Sequence, residues 1–231
     1  MDEFILTLES ELKRNSDTKI AKEQKAYMRN QFEFYGIKSP VRREIQKPFL
    51  AKEFLPPKSE LEQLVTVLWQ KPQREYQFIA QELVFKYTKQ IEEKDIHLLE
   101  YMVTHKSWWD TVDYIAVKLI GVYFIRFPEQ LDTVINTWLS SGNIWLQRCC
   151  LLYQLKSKGE MDTIRLSFII NSLLGSKEFF INKAIGWVLR EHSRTNPKWV
   201  IDLVANHELA PLSKREALRL LCPFNHSRIP F

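Results

Sequence analysis

Small residues recur along this chain at a nearly constant interval, each in the middle of an apolar, helix-periodic stretch. Ala80, Ala116, Cys150, Ala184 and Ala217 are separated by 36, 34, 34 and 33 residues. Each stretch is preceded by a second apolar segment of helical period, so the repeating unit is a helix pair. A small side chain at that point lets the two helices of a hairpin approach closely. The period lies between the tetratricopeptide and HEAT lengths, and no tetratricopeptide consensus is present. No alternation of Val, Ile or Thr competes as a strand pattern. The spacing therefore predicts an all-α fold, a right-handed α-α superhelix of HEAT-like repeats (an α-solenoid). One domain is expected over residues 1–231, with an N-terminal helical cap at 1–57 and about five helix pairs at 58–231. Such stacks curve, and their concave wall is a natural binding surface.

In the cap, residues 2–13 place Phe4, Ile5, Leu8 and Leu12 on one face. A second helix is expected from Thr18 to Phe34, stopped by Gly36. Ser39-Pro40 opens a third, running to Ala51, and Pro56-Pro57 breaks the chain. The helix pairs follow. Leu61, Leu64, Val65 and Leu68 pair with Tyr76, Ile79, Ala80, Leu83 and Val84. Then 96–103 pairs with 109–124, 131–139 with 144–155, 161–174 with 179–189, and 199–204 with 213–221.

Composition narrows the partners. The chain is 45% hydrophobic and 26% charged, enough for a sizeable core, and it holds no apolar run of the roughly 20 residues a membrane span needs. No secretory signal is expected at Met1-Asp2-Glu3-Phe4, so a cytoplasmic monomer is the expectation. Cys149, Cys150 and Cys222 lack metal-ligand spacing and read as small buried apolar groups. The formal charge of +5 favours an anionic partner over a cationic one.

One stretch stands out chemically: Lys106-Ser107-Trp108-Trp109-Asp110-Thr111-Val112-Asp113. Trp109 and Asp113 are four apart, so a helix puts an aromatic face beside a carboxylate. That pair suits a cationic guest or transition state. Measured from the small residue of each repeat, Asp113, Trp109 and Trp187 fall within roughly a third of the helix circumference. Arg148 lies in the repeat between them; its register depends on whether Cys149 or Cys150 is the zero mark. Lys183 and Arg190 flank Trp187 by a turn each way, and Arg42, Arg43, Lys156, Arg194, Lys214 and Arg215 lie on or beside the same series of helices. A basic wall carrying aromatics fits a nucleic-acid duplex.

Each signal also has a plainer reading. Tryptophans on helices pack in cores, and Trp109 and Trp187 are equally consistent with that; Trp69, Trp138, Trp145 and Trp199 are taken as packing. Asp110 complements the helix dipole. Arg148, among Ile144, Leu151, Leu152 and Leu155, needs either an anionic ligand or an acidic partner, for which Asp113 is available. Basic residues form solvated faces as well as binding stripes.

Several segments are similar to the DNA alkylation repair glycosylases of the AlkD family. They are Tyr27-Met28-Arg29-Asn30, Gly36 to Arg43, Lys106 to Asp113, Asn143 to Arg148, Ser176 to Glu191, and Leu209 to Ala217. The resemblance covers nearly the whole chain. It implies a HEAT-like repeat fold that grips duplex DNA on its concave face and excises cationic N3- and N7-alkylated purines. It also implies that the base is not flipped into a deep pocket, unlike in most glycosylases. The family's catalytic positions fall on Trp109, Asp113 and Trp187, and its supporting arginine on Arg148, which is expected to bind DNA by holding a neighbouring phosphate. Tyr27, Arg43, Lys183 and Arg190 match or neighbour DNA-facing positions. The partner implied is double-stranded DNA containing alkylated purines; no metal or other cofactor and no membrane is called for. The rival expectation is a non-catalytic HEAT-repeat scaffold that binds DNA or protein. A carboxylate at position 113 repels phosphate, which such a scaffold has no need of.

Overall fold

The computed structural model describes residues 2–221; Cys222 and the rest of 222–231 lie outside the described residues. The described residues are helical with no strand. They cluster into two compact units that divide after Leu98. The first holds α1 (Asp2–Arg14), α2 (Thr18–Tyr27), α3 (Ser39–Gln46), α4 (Lys58–Gln70) and α5 (Arg74–Lys86), and α6 (Asp95–Thr104) runs across the division. The second holds a long helix made of α7 (Trp109–Ile115), a π-helical segment (Ala116–Ile120) and α8 (Gly121–Arg126). It continues with α9 (Leu131–Ser140), α10 (Ile144–Leu152), α11 (Thr163–Ser172), α12 (Phe179–His192), α13 (Pro197–Asn206) and α14 (Pro211–Ala217). Among the described residues, no helix is long and apolar enough to cross a membrane.

In the first unit, α1 buries Ile5, Leu8 and Leu12 of the stripe its spacing predicts and leaves Phe4 half-buried. Asp17 caps α2 by accepting from the Lys19 and Ile20 amides at 2.8 and 3.0 Å. This helix ends at Tyr27 and not near Phe34. Arg29 and Asn30 take left-handed dihedrals (φ 53° and 59°), and the Asn30 amide reaches back to the Lys25 carbonyl at 2.8 Å. That closure terminates the helix as a Schellman-like turn. Gly36 has a different task. Its φ is +86°, and a Cβ there would sit 1.9 Å from the Asp17 carbonyl oxygen, so only glycine fits. The loop it belongs to is held by Glu75 of α5. The buried Glu75 carboxylate accepts from the Tyr35, Gly36 and Ile37 amides at 3.1, 3.1 and 3.2 Å. Burial pushes the Glu75 pKa up, and the three amides oppose it. Helix α3 ends at Gln46, short of Ala51, because Pro48 has no N–H to continue the ladder.

The second unit is built on the predicted repeat. Ala116, Cys150, Ala184 and Ala217 are all 0% exposed, as is Ala80 in the first unit. Consecutive second helices pack on one another: α10 against α7 and the π segment, α12 against α10, and α14 against α12. The first helices α9, α11 and α13 back this layer through α10 and α12. Asn143 caps α10 through the Trp145 and Leu146 amides, Asp162 caps α11, and Asn196 with Pro197 opens α13. The π segment falls where the sequence predicts uninterrupted α-helix. Gly121 follows it, and a Cβ there would lie 2.6 Å from the Tyr153 carbonyl oxygen. Cys149 and Cys150 are free thiols buried in this layer, with burial pushing both pKa values up.

Candidate active site

Helix α7 starts abruptly. Lys106 adopts a left-handed φ of 50°, and Trp108 is fully extended at the N-cap position. The chain thus enters α7 with Trp109 as its first residue and Asp113 one turn on, so both side chains stand on one face. Trp109 and Asp113 are half-buried, and so is Trp187 on α12.

Arg148, on α10 between these helices, ties them together. Its Nε donates to Asp113 Oδ1 at 2.6 Å and its Nη2 to Asp113 Oδ2 at 2.9 Å, a two-pronged pair. Its Nη1 donates to the Phe180 carbonyl at the start of α12. The Arg148 side chain is 4% exposed and that of Asp113 16%, so the Asp113 side chain keeps a small exposed part while Arg148 is almost fully buried. Burial raises the Asp113 pKa above its ordinary value of 3.8; the Arg148 hydrogen bonds and charge pull it back, and Asp110 adds a smaller upward push. Sequence left two roles open for Arg148, phosphate anchor or internal partner of Asp113. Its three engaged nitrogens favour the second, since a phosphate would have to displace a buried carboxylate.

An aromatic cluster meets this ion pair through Phe180. Trp108, Trp145 and Phe180 meet with ring centroids 5.8 Å (Trp108–Trp145), 5.1 Å (Trp108–Phe180) and 4.9 Å (Trp145–Phe180) apart. The Arg148 guanidinium lies 5.9 Å from the Phe180 ring centroid. Trp108 Nε1 is buried without a hydrogen-bond acceptor. Low polarity beside the pair strengthens it. Sequence passes over Trp108 and Phe180, because the cluster draws on three separate helix starts.

The basic residues divide by unit. In the first, Tyr27 is 71% exposed and Arg43 is exposed, whereas Arg42 is buried and bound to Glu82 and Gln46. In the second, Lys183 and Arg190 both turn to one carboxylate, Glu216 of α14. Lys156 and Arg194 share Glu191 at 3.8 and 3.5 Å. Glu216 is missed by sequence reading; its only trace is a lone acid in Lys214-Arg215-Glu216.

No curated protein matches the chain. A solved structure described as a predicted DNA alkylation repair enzyme from Enterococcus faecalis is 33% identical, with a TM-score of 0.83, covering 90% of this chain and 97% of that one. The family profile of DNA alkylation repair enzymes matches residues 8–221. The chain therefore belongs to the DNA alkylation repair enzyme family.

Proposed function

We propose that the protein is a monofunctional DNA glycosylase of the AlkD type that releases cationic N3- and N7-alkylated purines from duplex DNA. The observation that carries this reading is the Asp113 carboxylate. It is gripped by Arg148 on a side chain that is 16% exposed, on the same face as half-buried Trp109.

A purine alkylated at N7 or N3 already carries a positive charge, so it leaves as a neutral base without being protonated. As the glycosidic bond stretches, the electron pair departs with the base and positive charge grows on the deoxyribose. Asp113 stabilises that charge and orients the water that adds to C1′. The water's proton goes to solvent, leaving an abasic sugar. Trp109 and Trp187 offer electron-rich faces to the same cationic centre, about 0.5–2 kcal/mol each. Arg148 fixes the carboxylate and holds α7, α10 and α12 in one geometry. Lys183 and Arg190 in the second unit, and Tyr27 and Arg43 in the first, are proposed DNA contacts. No deep base pocket is invoked.

The test is incubation with duplex DNA containing N7-methylguanine, followed by chromatography for free 7-methylguanine. Release above the spontaneous rate is expected. Release at background with intact duplex binding overturns the enzyme reading in favour of a DNA-binding scaffold.

A further inference from the structure

The proposed function leaves Glu216 unaccounted for. A carboxylate repels the phosphate that Lys183 and Arg190 are proposed to bind, yet α14 places one against both. Glu216 Oε1 takes Lys183 Nζ at 2.8 Å, and Oε2 takes Arg190 Nη1. The Glu216 side chain is 9% exposed, Lys183 37% and Arg190 20%, so the acid lies beneath and the cations above.

The backbone is shaped to bring this about. A Cβ on Gly186 would lie 2.5 Å from Glu216 Cβ and 3.0 Å from the Ser213 carbonyl oxygen. Glycine therefore lets α14 sit directly on α12. Ser213 Oγ donates to the Asn182 carbonyl at 2.8 Å and fixes the contact. Residues 183, 187 and 190 share one face of α12, so the two cations stand on either side of Trp187.

Lys and Arg side chains are long and lose much rotamer freedom on binding. A shared acceptor takes away part of that freedom in advance. Each oxygen of Glu216 uses one N–H, so Lys183 keeps two donors and Arg190 four. The triad retains one net positive charge. Burial of Glu216 is overridden by its cationic neighbours, which hold its pKa down and keep it ionised.

We infer that Glu216 is a positioning residue that holds Lys183 and Arg190 as a two-pronged cradle for a DNA backbone phosphate beside Trp187. This rests on the DNA-binding reading of those two cations.

The sign of one measurement decides it. Glu216→Gln removes a negative charge near DNA. A carboxylate that merely competes with phosphate predicts tighter binding; a positioning residue predicts weaker binding. The whole chain is titrated with a short undamaged duplex by fluorescence anisotropy across a salt series. We expect Glu216→Gln to weaken binding about three- to tenfold. The plot of log affinity against log salt should flatten by about one unit, as a phosphate contact is lost. Glu216→Asp keeps the charge but withdraws it by a methylene, so it too loses affinity. With Lys183→Met and Arg190→Met already present, Glu216→Gln should have no further effect. A variant that binds as tightly as wild type or more so overturns the inference, as does a loss that persists unchanged without the two cations. A wild-type chain that fails to bind duplex DNA overturns the DNA reading as well, which separates the two failures.

Discussion

Asp113 is a charge in surroundings that resist it, and its behaviour follows from that. In the proposed mechanism the acting form is the carboxylate, and burial raises its pKa above 3.8 against the pull of Arg148. Base release should therefore fall on acidification through a midpoint above that of an exposed aspartate. Arg148→Met removes the opposing pull, so the midpoint moves higher still. A single-turnover pH–rate profile checks this, and an unmoved midpoint would count against Arg148 as the group that holds Asp113. Breaking the buried pair also destabilises the fold by about 3–5 kcal/mol. Asp113→Asn should slow release roughly a hundredfold or more while changing duplex affinity little. Equal losses in rate and affinity would make Asp113 a positional residue only. From sequence, the offsets of Trp109, Asp113 and Trp187 from the small register residues put them in one angular sector of their helices. Asp113 was already a candidate partner of Arg148, but the Phe180 carbonyl was not, because packing brings it to Arg148 from another repeat.

Helices α12 and α14 are joined through the absence of a side chain at Gly186. Gly186→Ala forces a methyl against Glu216 Cβ and the Ser213 backbone, which should cost about 1–3 kcal/mol and disturb the Lys183 and Arg190 contacts. Thermal melting reads the first and duplex titration the second; an alanine variant with unchanged melting would show that α14 shifts freely. The same joint responds to acid. The Glu216 pKa is held below its ordinary 4.5, so its ion pairs contribute stability above that value and lose it as pH falls through the lower folded value. Glu216→Gln should flatten the melting curve against pH in that range. At this scale the sequence predicts the existence of nearly every helix but not the end of α2. That end depends on left-handed dihedrals at Arg29 and Asn30, which no glycine advertises. Nor does a 100° periodicity reveal the π segment at Ala116–Ile120.

For the molecule as a whole, the membership in a DNA alkylation repair family and the chemistry of the proposed substrate make a joint prediction. A cationic base leaves neutral and needs no Lewis acid to activate it. Release of 7-methylguanine should be unchanged by excess chelator, measured with and without it on the same duplex. Loss of release on chelation would sink the carboxylate mechanism. The +5 net charge fits a polyanionic partner, but many basic residues are already engaged. Lys183, Arg190, Lys156 and Arg194 all have acidic neighbours, so a charge count overstates what is free to meet phosphate.

Residue order alone carries the helix-pair repeat, its register and the family resemblance. Those are set by short-range rules: apolar side chains recur every 3.6 residues, and a small residue is needed wherever two helices touch. Which charges meet is settled by packing. The grip of Arg148 on Asp113 and the fork of Lys183 and Arg190 on Glu216 join residues 35, 33 and 26 positions apart. Such contacts depend on how neighbouring repeats stack to within a few ångströms, a distance that periodicity does not encode.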